Sequence, residues 1–371
     1  MDQVLLHPPF RAEHIGSFLR PAALLKARAE HAAGRQTDAE LRAAEDEAIG
    51  AFVALQEGLG LRMVTDGEFR RSTYTSNFTT EGLTGVTAKH KASDVWSYTN
   101  AKPARIPAVN ACIRWNNSRN ADDFAALARM TRVHPKVTLP GPCYIHFRAG
   151  RAGISRTAYP DLADFWSDIV TAYGIELEKL AEAGCRYVQL DETSIAKLGD
   201  EKIRNALAAR GDHWEELLEH YIEVINAIVT RAPCGMRIGL HLCRGNRMGH
   251  WQAEGGYDVV ADKLFKSCAI DFFFLEYDSE RAGTFEPLKA MPDHKSVVLG
   301  LLSTKTAELE DEDFLLKRIR DASRVIGLDR LAISPQCGFS SSDAANTVMS
   351  DQQARAKLTR VVEVARKVWD E

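Results

Sequence analysis

Short apolar runs alternate with amphipathic stretches along most of the chain. The amphipathic stretches read as helices, because their apolar residues recur every three to four positions. Residues 21–59 predict two helices broken near Gly34-Arg35-Gln36, the second capped by Thr37 or Asp38 and ended by Gly58 or Gly60. Residues 159–184 predict another, opened by Pro160-Asp161 and stopped at Gly184, and 214–230 and 350–369 predict two more. Between the helices lie eight short runs rich in β-branched and aromatic residues: 13–17, 62–68, 136–142, 186–192, 237–243, 271–278, 296–303 and 330–338. Runs this apolar suit strands buried on both faces of a parallel sheet. Eight such strands alternating with helices predict an α/β fold, a (β/α)8 TIM barrel, as a single domain over residues 1–371. A doubly wound open sheet is the alternative, and no GxGxxG fingerprint supports it.

One interval breaks the rhythm. Between the second and third runs, residues at about 75–130 carry turn signals and alternating segments. They predict an inserted β-rich excursion between strands 2 and 3, a hairpin or small antiparallel sheet that serves as a lid or a homo-oligomer contact.

Most of the apolar runs end in residues capable of chemistry, and in a (β/α)8 barrel the reacting groups sit at the C-terminal strand ends. The fifth run ends Gly239-Leu240-His241-Leu242-Cys243. On a strand, His241 and Cys243 point to the same face. The sixth run closes on Glu276 and the eighth runs into Cys337. If the barrel closes, strands five, six and eight bring together His241, Cys243, Glu276 and Cys337, a tetrahedral Zn2+ set. The plainer alternative is a pair of cysteines buried as small hydrophobes and a histidine hydrogen-bonded inside the barrel. Glu68 and Asp191 close the second and fourth runs. They suit contact with a substrate, or ion pairs with Arg70, Arg71 or a neighbouring lysine.

Bulk properties narrow the classes. Of 371 residues, 45% are hydrophobic and 26% charged, with a net charge of −4, which is ordinary globular composition. No basic stripe interleaved with aromatics is present, so nucleic acid is not an expected partner. No run of 18 apolar residues occurs, so no membrane span is expected. The first residues lack a basic segment followed by a long apolar one, so no signal peptide is expected and a cytoplasmic location follows. The seven cysteines are scattered without a CxxC pair, which favours thiols or metal ligands over a disulfide framework.

Seven separated stretches, HIGSFLRP from His14, TDGEFRR from Thr65, VQLDET from Val188, HLCRGN from His241, FFLEYDSERAGTFEPL from Phe273, LGLLSTK from Leu299 and SPQCGFSS from Ser334, occur in one order. Together they resemble the cobalamin-independent methionine synthase family, and more narrowly its short, single-barrel YxjG/YxjH-like branch. The resemblance runs from about residue 10 to 369. It implies a (β/α)8 barrel whose catalytic zinc is held by His241, Cys243, Glu276 and Cys337. It also implies that Ile15, Gly16 and Ser17 hold a homocysteine carboxylate, while Glu68 and Asp191 hold its amino group. The implied reaction is methyl or alkyl transfer to homocysteine, zinc activating the thiol as nucleophile. Glu276, the weakest of the four ligands, is expected to move aside as the substrate sulfur arrives.

The resemblance also has gaps. The long members carry a second barrel that helps bind folate, and this chain has room for one. Ser303 and Lys305 stand where the long members carry an Asp and a His near the methyl donor, and CRGN replaces a CYC-like sequence. The methyl donor, folate or another carrier, therefore stays open. So does a zinc-dependent C–S lyase, desulfhydrase or alkyl transferase acting on another small sulfur compound; a zinc store or thiol sensor without catalysis is the third alternative. Arg244 and Arg247 suit a substrate carboxylate or pairing with Asp278 or Glu280. His146, His250, Tyr74 and Tyr144 lie near strand ends, where packing is the default expectation.

Overall fold

The structure is a computed structural model that describes residues 10–90, 105–343 and 348–370. Among them ten strands form: β1 (Met63–Val64), β2 (Leu83–His90), β3 (Arg105–Trp115), β4 (His134–Pro135), β5 (Val137–Pro140), β6 (Tyr187–Asp191), β7 (Arg237–Leu242), β8 (Phe272–Glu276), β9 (Ser296–Leu302) and β10 (Leu331–Pro335). The last six make one sheet in the order β10-β9-β8-β7-β6-β5, every pair parallel. The fold is therefore α/β with a parallel sheet, and its strands come from the six apolar runs after the insertion.

The first two runs are shorter than their apolar patterns predict. β1 pairs with β4, which continues through Lys136 into β5. Run 13–17 forms no ladder; Ala12 makes a single parallel bridge to Ile333 of β10, with Glu13 N–H donating to the Ile333 carbonyl at 2.9 Å. The cause is local. Gly16 has φ of +133°, a conformation that leaves the extended region. Its carbonyl accepts from Thr65 Oγ1 at 2.8 Å, and Phe18 N–H donates to the Gly67 carbonyl at 3.0 Å. These two segments are thus tied by loop hydrogen bonds in place of a ladder.

One face of the sheet packs against helices. Helix Leu162–Glu182 contributes Leu177 and Leu180 to this core, and helix Trp214–Thr230 contributes Tyr221 and Ile225. On another face Ile15, Met63, Tyr187, Phe272, Phe274, Val298 and Ala332 form a separate apolar cluster. The Ile, Met, Phe and Val side chains among them each contribute about 1.5–3 kcal/mol of transfer free energy on burial. A polar chain crosses this second cluster. Lys136 Nζ donates to Glu13 at 3.0 Å, to the His14 carbonyl at 2.5 Å and to Gln189 Oε1 at 2.9 Å. Gln189 Nε2 in turn donates to Asp191 Oδ1 and to the Ile15 carbonyl, both at 2.7 Å.

Helix ends follow the cap signals. Thr37 and Glu40 form a reciprocal capping box at the start of helix Asp38–Leu59, and Gly60 ends it in the left-handed region. Ser350 and Gln353 do the same for helix Asp351–Trp369. The insertion holds the expected antiparallel hairpin, β2 against β3, although residues 91–104 of the predicted excursion lie outside the described residues. It also holds a helix, Asn120–Met130, that the alternating pattern did not predict. Phe124 and Leu127, three apart, bury one face of it, while Asp122 and Asp123 suit the N-terminal dipole. Among the described residues no helix is long and apolar enough to cross a membrane.

Candidate functional site

Parallel strands deliver their C-terminal ends to one side of a sheet, and the candidate residues collect there. Asp191 is the last residue of β6 and sits in register with His241 of β7. Cys243 follows β7 directly, and Cys337 lies two residues beyond β10. The donor atoms of His241, Cys243 and Cys337 all lie within 4.8 Å of one another. The two sulfurs are 3.9 Å apart, with Cys337 donating to Cys243. That is well beyond a disulfide bond of about 2.05 Å. It matches the roughly 3.8 Å that two thiolates on one tetrahedral zinc must keep at Zn–S of about 2.3 Å.

The imidazole adds a second mark of a metal site. His241 is buried, yet neither Nδ1 nor Nε2 has a hydrogen-bond partner. A buried ring with both nitrogens unpaired is costly unless a ligand takes one of them. The electrostatics agree with a shared polar function. The Cys337 hydrogen bond holds the Cys243 thiol well down, and the same bond and burial push Cys337 up. Burial alone would lower His241, but the adjacent Cys243 charge raises it. The donor set of one imidazole and two thiols fits zinc.

Glu276, the fourth expected ligand, is not in this group of three. Its Oε1 accepts from Arg281 at 2.5 Å and from Lys305 at 3.2 Å, and its Oε2 accepts from the Arg244 backbone N–H at 2.7 Å. Burial would push Glu276 up; Lys305, Arg244 and Arg281 outweigh it and hold the carboxylate well below its ordinary value. Arg244 takes neither of its expected roles. It is fully buried, its guanidinium 4.5 Å from the Tyr257 ring centroid, and it donates to the Gly255 carbonyl at 2.6 Å. It therefore braces the loop after β7 and does not face a ligand, and its nearest acid is Glu276, not Asp278 or Glu280.

A cavity of about 450 Å³ opens onto this cluster. Ile15, Ser17, Glu68, Asp191, His241, Cys243 and Cys337 all line it; Gly16 and Glu276 do not. Gly16 acts from behind the wall, since a Cβ there would meet Thr138 Cγ2 at 2.6 Å. Gly338 brings the Cys337 loop against Ser17, where a Cβ would sit 1.9 Å from Ser17 Oγ. Glu68 has φ of +59°, a strained position for a residue with a side chain and one typical of functional sites. Its Oε1 accepts from Thr138 Oγ1 at 2.8 Å and lies 3.4 Å from Arg71, so the expected arginine pairing exists. Its Oε2 is buried without a partner. Asp191 makes no such pair among the described residues; burial, with Glu68 beside it, pushes it up to about 7.

Several cavity residues were not singled out by sequence reasoning. Arg148 and Lys197 are both buried in its wall, and a hydroxyl-rich segment from Ser72 to Thr80 lines it. The serine and threonine density of that segment was the visible signal. Tyr74, Tyr144 and Arg247 also reach the cavity, whereas His146 is buried against Tyr221 OH at 2.9 Å and His250 does not line it.

Comparison with known proteins agrees with this architecture. The model of the cobalamin-independent synthase catalytic domain matches residues 10–367. The Bacillus subtilis (strain 168) protein YxjG is 37% identical over 365 residues, covering 98% of this chain and 95% of that protein. A Bacillus licheniformis 5-methyltetrahydropteroyltriglutamate–homocysteine methyltransferase is 24% identical over 94% of this chain, which spans only 43% of that longer enzyme. The crystal structure of a putative vitamin-B12-independent methionine synthase from Listeria monocytogenes superposes with a TM-score of 0.78 at 32% identity, covering 100% of both chains. The chain belongs to the cobalamin-independent synthase family, whose catalytic domain it carries from residue 10 to residue 367.

Proposed function

We propose that this protein is a zinc enzyme that transfers a methyl or alkyl group to the sulfur of homocysteine. The observation that carries the reading is the His241–Cys243–Cys337 cluster, with both imidazole nitrogens unpaired, opening into a cavity that also holds Glu68 and Asp191. We further propose that the segment at Ala12 and the β1 pair complete the six-stranded sheet as an eight-stranded barrel; the Ala12–Ile333 bridge and the β1–β4 pairing support closure.

His241, Cys243 and Cys337 would hold the metal, with Glu276 available once its partners Lys305 and Arg281 release it. Zinc bound there supplies deprotonation of a thiol at neutral pH. The chain's own residues bind and orient the substrate. The unpaired Oε2 of Glu68 and the carboxylate of Asp191 receive the ammonium group. The carbonyls of Ile15, Gly16 and Ser17 are each tied to a donor, Gln189, Thr65 and Phe339 respectively, which leaves the segment's amides and the Ser17 hydroxyl to meet the carboxylate. In the transfer the substrate S–H proton is released, a sulfur–carbon bond forms, and the donor keeps the electron pair of the bond it loses.

The test is zinc content and zinc-edge absorption of the purified protein, with and without homocysteine, beside Cys337→Ser. One zinc per chain that gains a sulfur neighbour on adding homocysteine is the expected result, with loss of zinc in the variant. A zinc-loaded variant, or a metal indifferent to the thiol, overturns the assignment. Sulfide release from homocysteine without any donor would replace transfer by C–S cleavage.

A further inference from the structure

An α-amino acid carries its ammonium and its carboxylate on one carbon, so a site that binds both must hold two protein groups at a fixed separation. Here those groups come from segments that share no ladder. Asp191 ends β6, while Ile15–Ser17 is a loop that follows the Ala12–Ile333 bridge. Gln189 joins them. It stands two residues before Asp191 on the same strand, so both side chains point to one face. Its Nε2 donates to Asp191 Oδ1 and to the Ile15 carbonyl, both at 2.7 Å. Among the described residues it is the one side chain hydrogen-bonded to both, and the one hydrogen-bonded to the Asp191 carboxylate.

The amide has no second way to sit. Lys136 Nζ donates to Gln189 Oε1 at 2.9 Å, and an ammonium can only donate. The amide oxygen therefore faces Lys136, and both amide N–H groups face acceptors. Reversing the amide would set its oxygen against the Asp191 carboxylate and the Ile15 carbonyl, and its NH2 against an ammonium. Lys136 ties the neighbouring residues of the same segment as well, donating to the His14 carbonyl and to Glu13. Gln189 is fully buried and does not line the cavity. It meets no ligand itself; it holds the groups that do.

We propose that Gln189 is a positioning residue that sets the separation between Asp191 and the Ile15–Ser17 segment, and so selects ligands with ammonium and carboxylate on the same carbon. This assignment rests on the reading of the cavity as a site for a thiol amino acid, and concerns that ligand's amino-acid end. A ligand whose ammonium sits one carbon further from its carboxylate would satisfy only one of the two groups. The other group would stay buried and unpaired, which is what makes such a mismatch costly.

The experiment is calorimetric titration of the zinc-loaded full chain with norleucine and with its isomer 3-aminohexanoate, which differ only in the carbon that bears the ammonium. It is repeated on Gln189→Met, which keeps the length without the hydrogen bonds, and on Gln189→Asn, which keeps the amide on a shorter stem. The wild type should prefer norleucine by about tenfold or more. Both variants should narrow that preference to less than about threefold, mainly by losing norleucine affinity. A merely structural role would weaken both isomers alike and leave the preference intact, and that result would overturn the proposal. Equal binding of the two isomers by the wild type, which needs no variant to fold, would overturn it too, as would a wild type that binds neither. Neither probe carries sulfur, so the outcome does not depend on a thiol reaching the metal. Zinc-edge spectra with homocysteine report that separately. Failure of the transfer reading would therefore appear there, as a metal without a new sulfur neighbour, and not in the isomer preference.

Discussion

Lys136→Met tests whether the polar chain beneath the cavity is held by a buried charge. In the native protein Lys136 and Glu13 are both buried and 3.0 Å apart, and Glu13 also accepts from Tyr187 OH at 2.6 Å. Burial pushes Glu13 up and Lys136 down. The pair keeps one proton whichever partner carries it. The unfolded chain near neutral pH also keeps one, on the lysine, so the native pair adds no pH dependence there. Replacing Lys136 by Met strands the buried carboxyl with Tyr187 OH as its remaining side-chain donor among the described residues. Leaving it charged costs several kcal/mol, so it takes up a proton instead. For a carboxyl with an ordinary value of 4.5, holding that proton at pH 7 costs about 3.4 kcal/mol. At pH 5 the same step costs about 0.7 kcal/mol.

The sign follows from proton counting. The native variant binds a proton that its unfolded state lacks above pH 4.5, so its stability falls as pH rises. The pH-dependent penalty should therefore grow by nearly 3 kcal/mol from pH 5 to pH 7, and level off once the native carboxyl also ionises. On top of it lies a pH-independent loss of about 1–3 kcal/mol for the acceptors left at His14 and Gln189. Urea unfolding followed by circular dichroism at the two pH values reads both terms. Adding Glu13→Gln to the variant should abolish the pH-dependent term. A penalty equal at pH 5 and pH 7 would refute the reasoning, because it would mean that water reaches Glu13.

Three further outcomes are expected at the site. Gly16→Ala forces a side chain into left-handed backbone and against Thr138, so it should cost about 1–3 kcal/mol of stability and weaken homocysteine about tenfold, read by thermal melting and calorimetry. Thr138→Val keeps the volume but removes the hydroxyl between Glu68 and Arg71; a loss of about 1–2 kcal/mol is expected, with weaker homocysteine binding, and unchanged affinity would sever Thr138 from Glu68 positioning. Glu276→Gln should keep about one zinc per chain by elemental analysis, because three other donors already converge; a metal-free variant would make Glu276 an obligatory ligand.

What the sequence made legible was set by period and by strand order. His241 and Cys243 stand two apart on a strand, so their common face needed no tertiary knowledge, and parallel pairing put Asp191 next to His241. The helix boundaries at Thr37, Gly60 and Ser350 were legible for a similar reason: caps are local chemistry. The shortened first strand was not, because an apolar run does not reveal that Gly16 takes a positive φ. Long charged side chains were the least legible. Arg244 was read as facing a substrate carboxylate or pairing with Asp278 or Glu280, and it is buried against Tyr257; the Arg281 and Lys305 side chains that hold Glu276 were not foreseen. Lys197, in an ordinary-looking SIAKLG turn, is buried in the cavity wall. The backbone position of each was predictable, but its partners come from other segments, and a side chain with three to five rotatable bonds reaches several of them. The site residues borne on strands are therefore legible from periodicity, while the surroundings of Arg244, Glu276 and Lys197 are legible only from the fold.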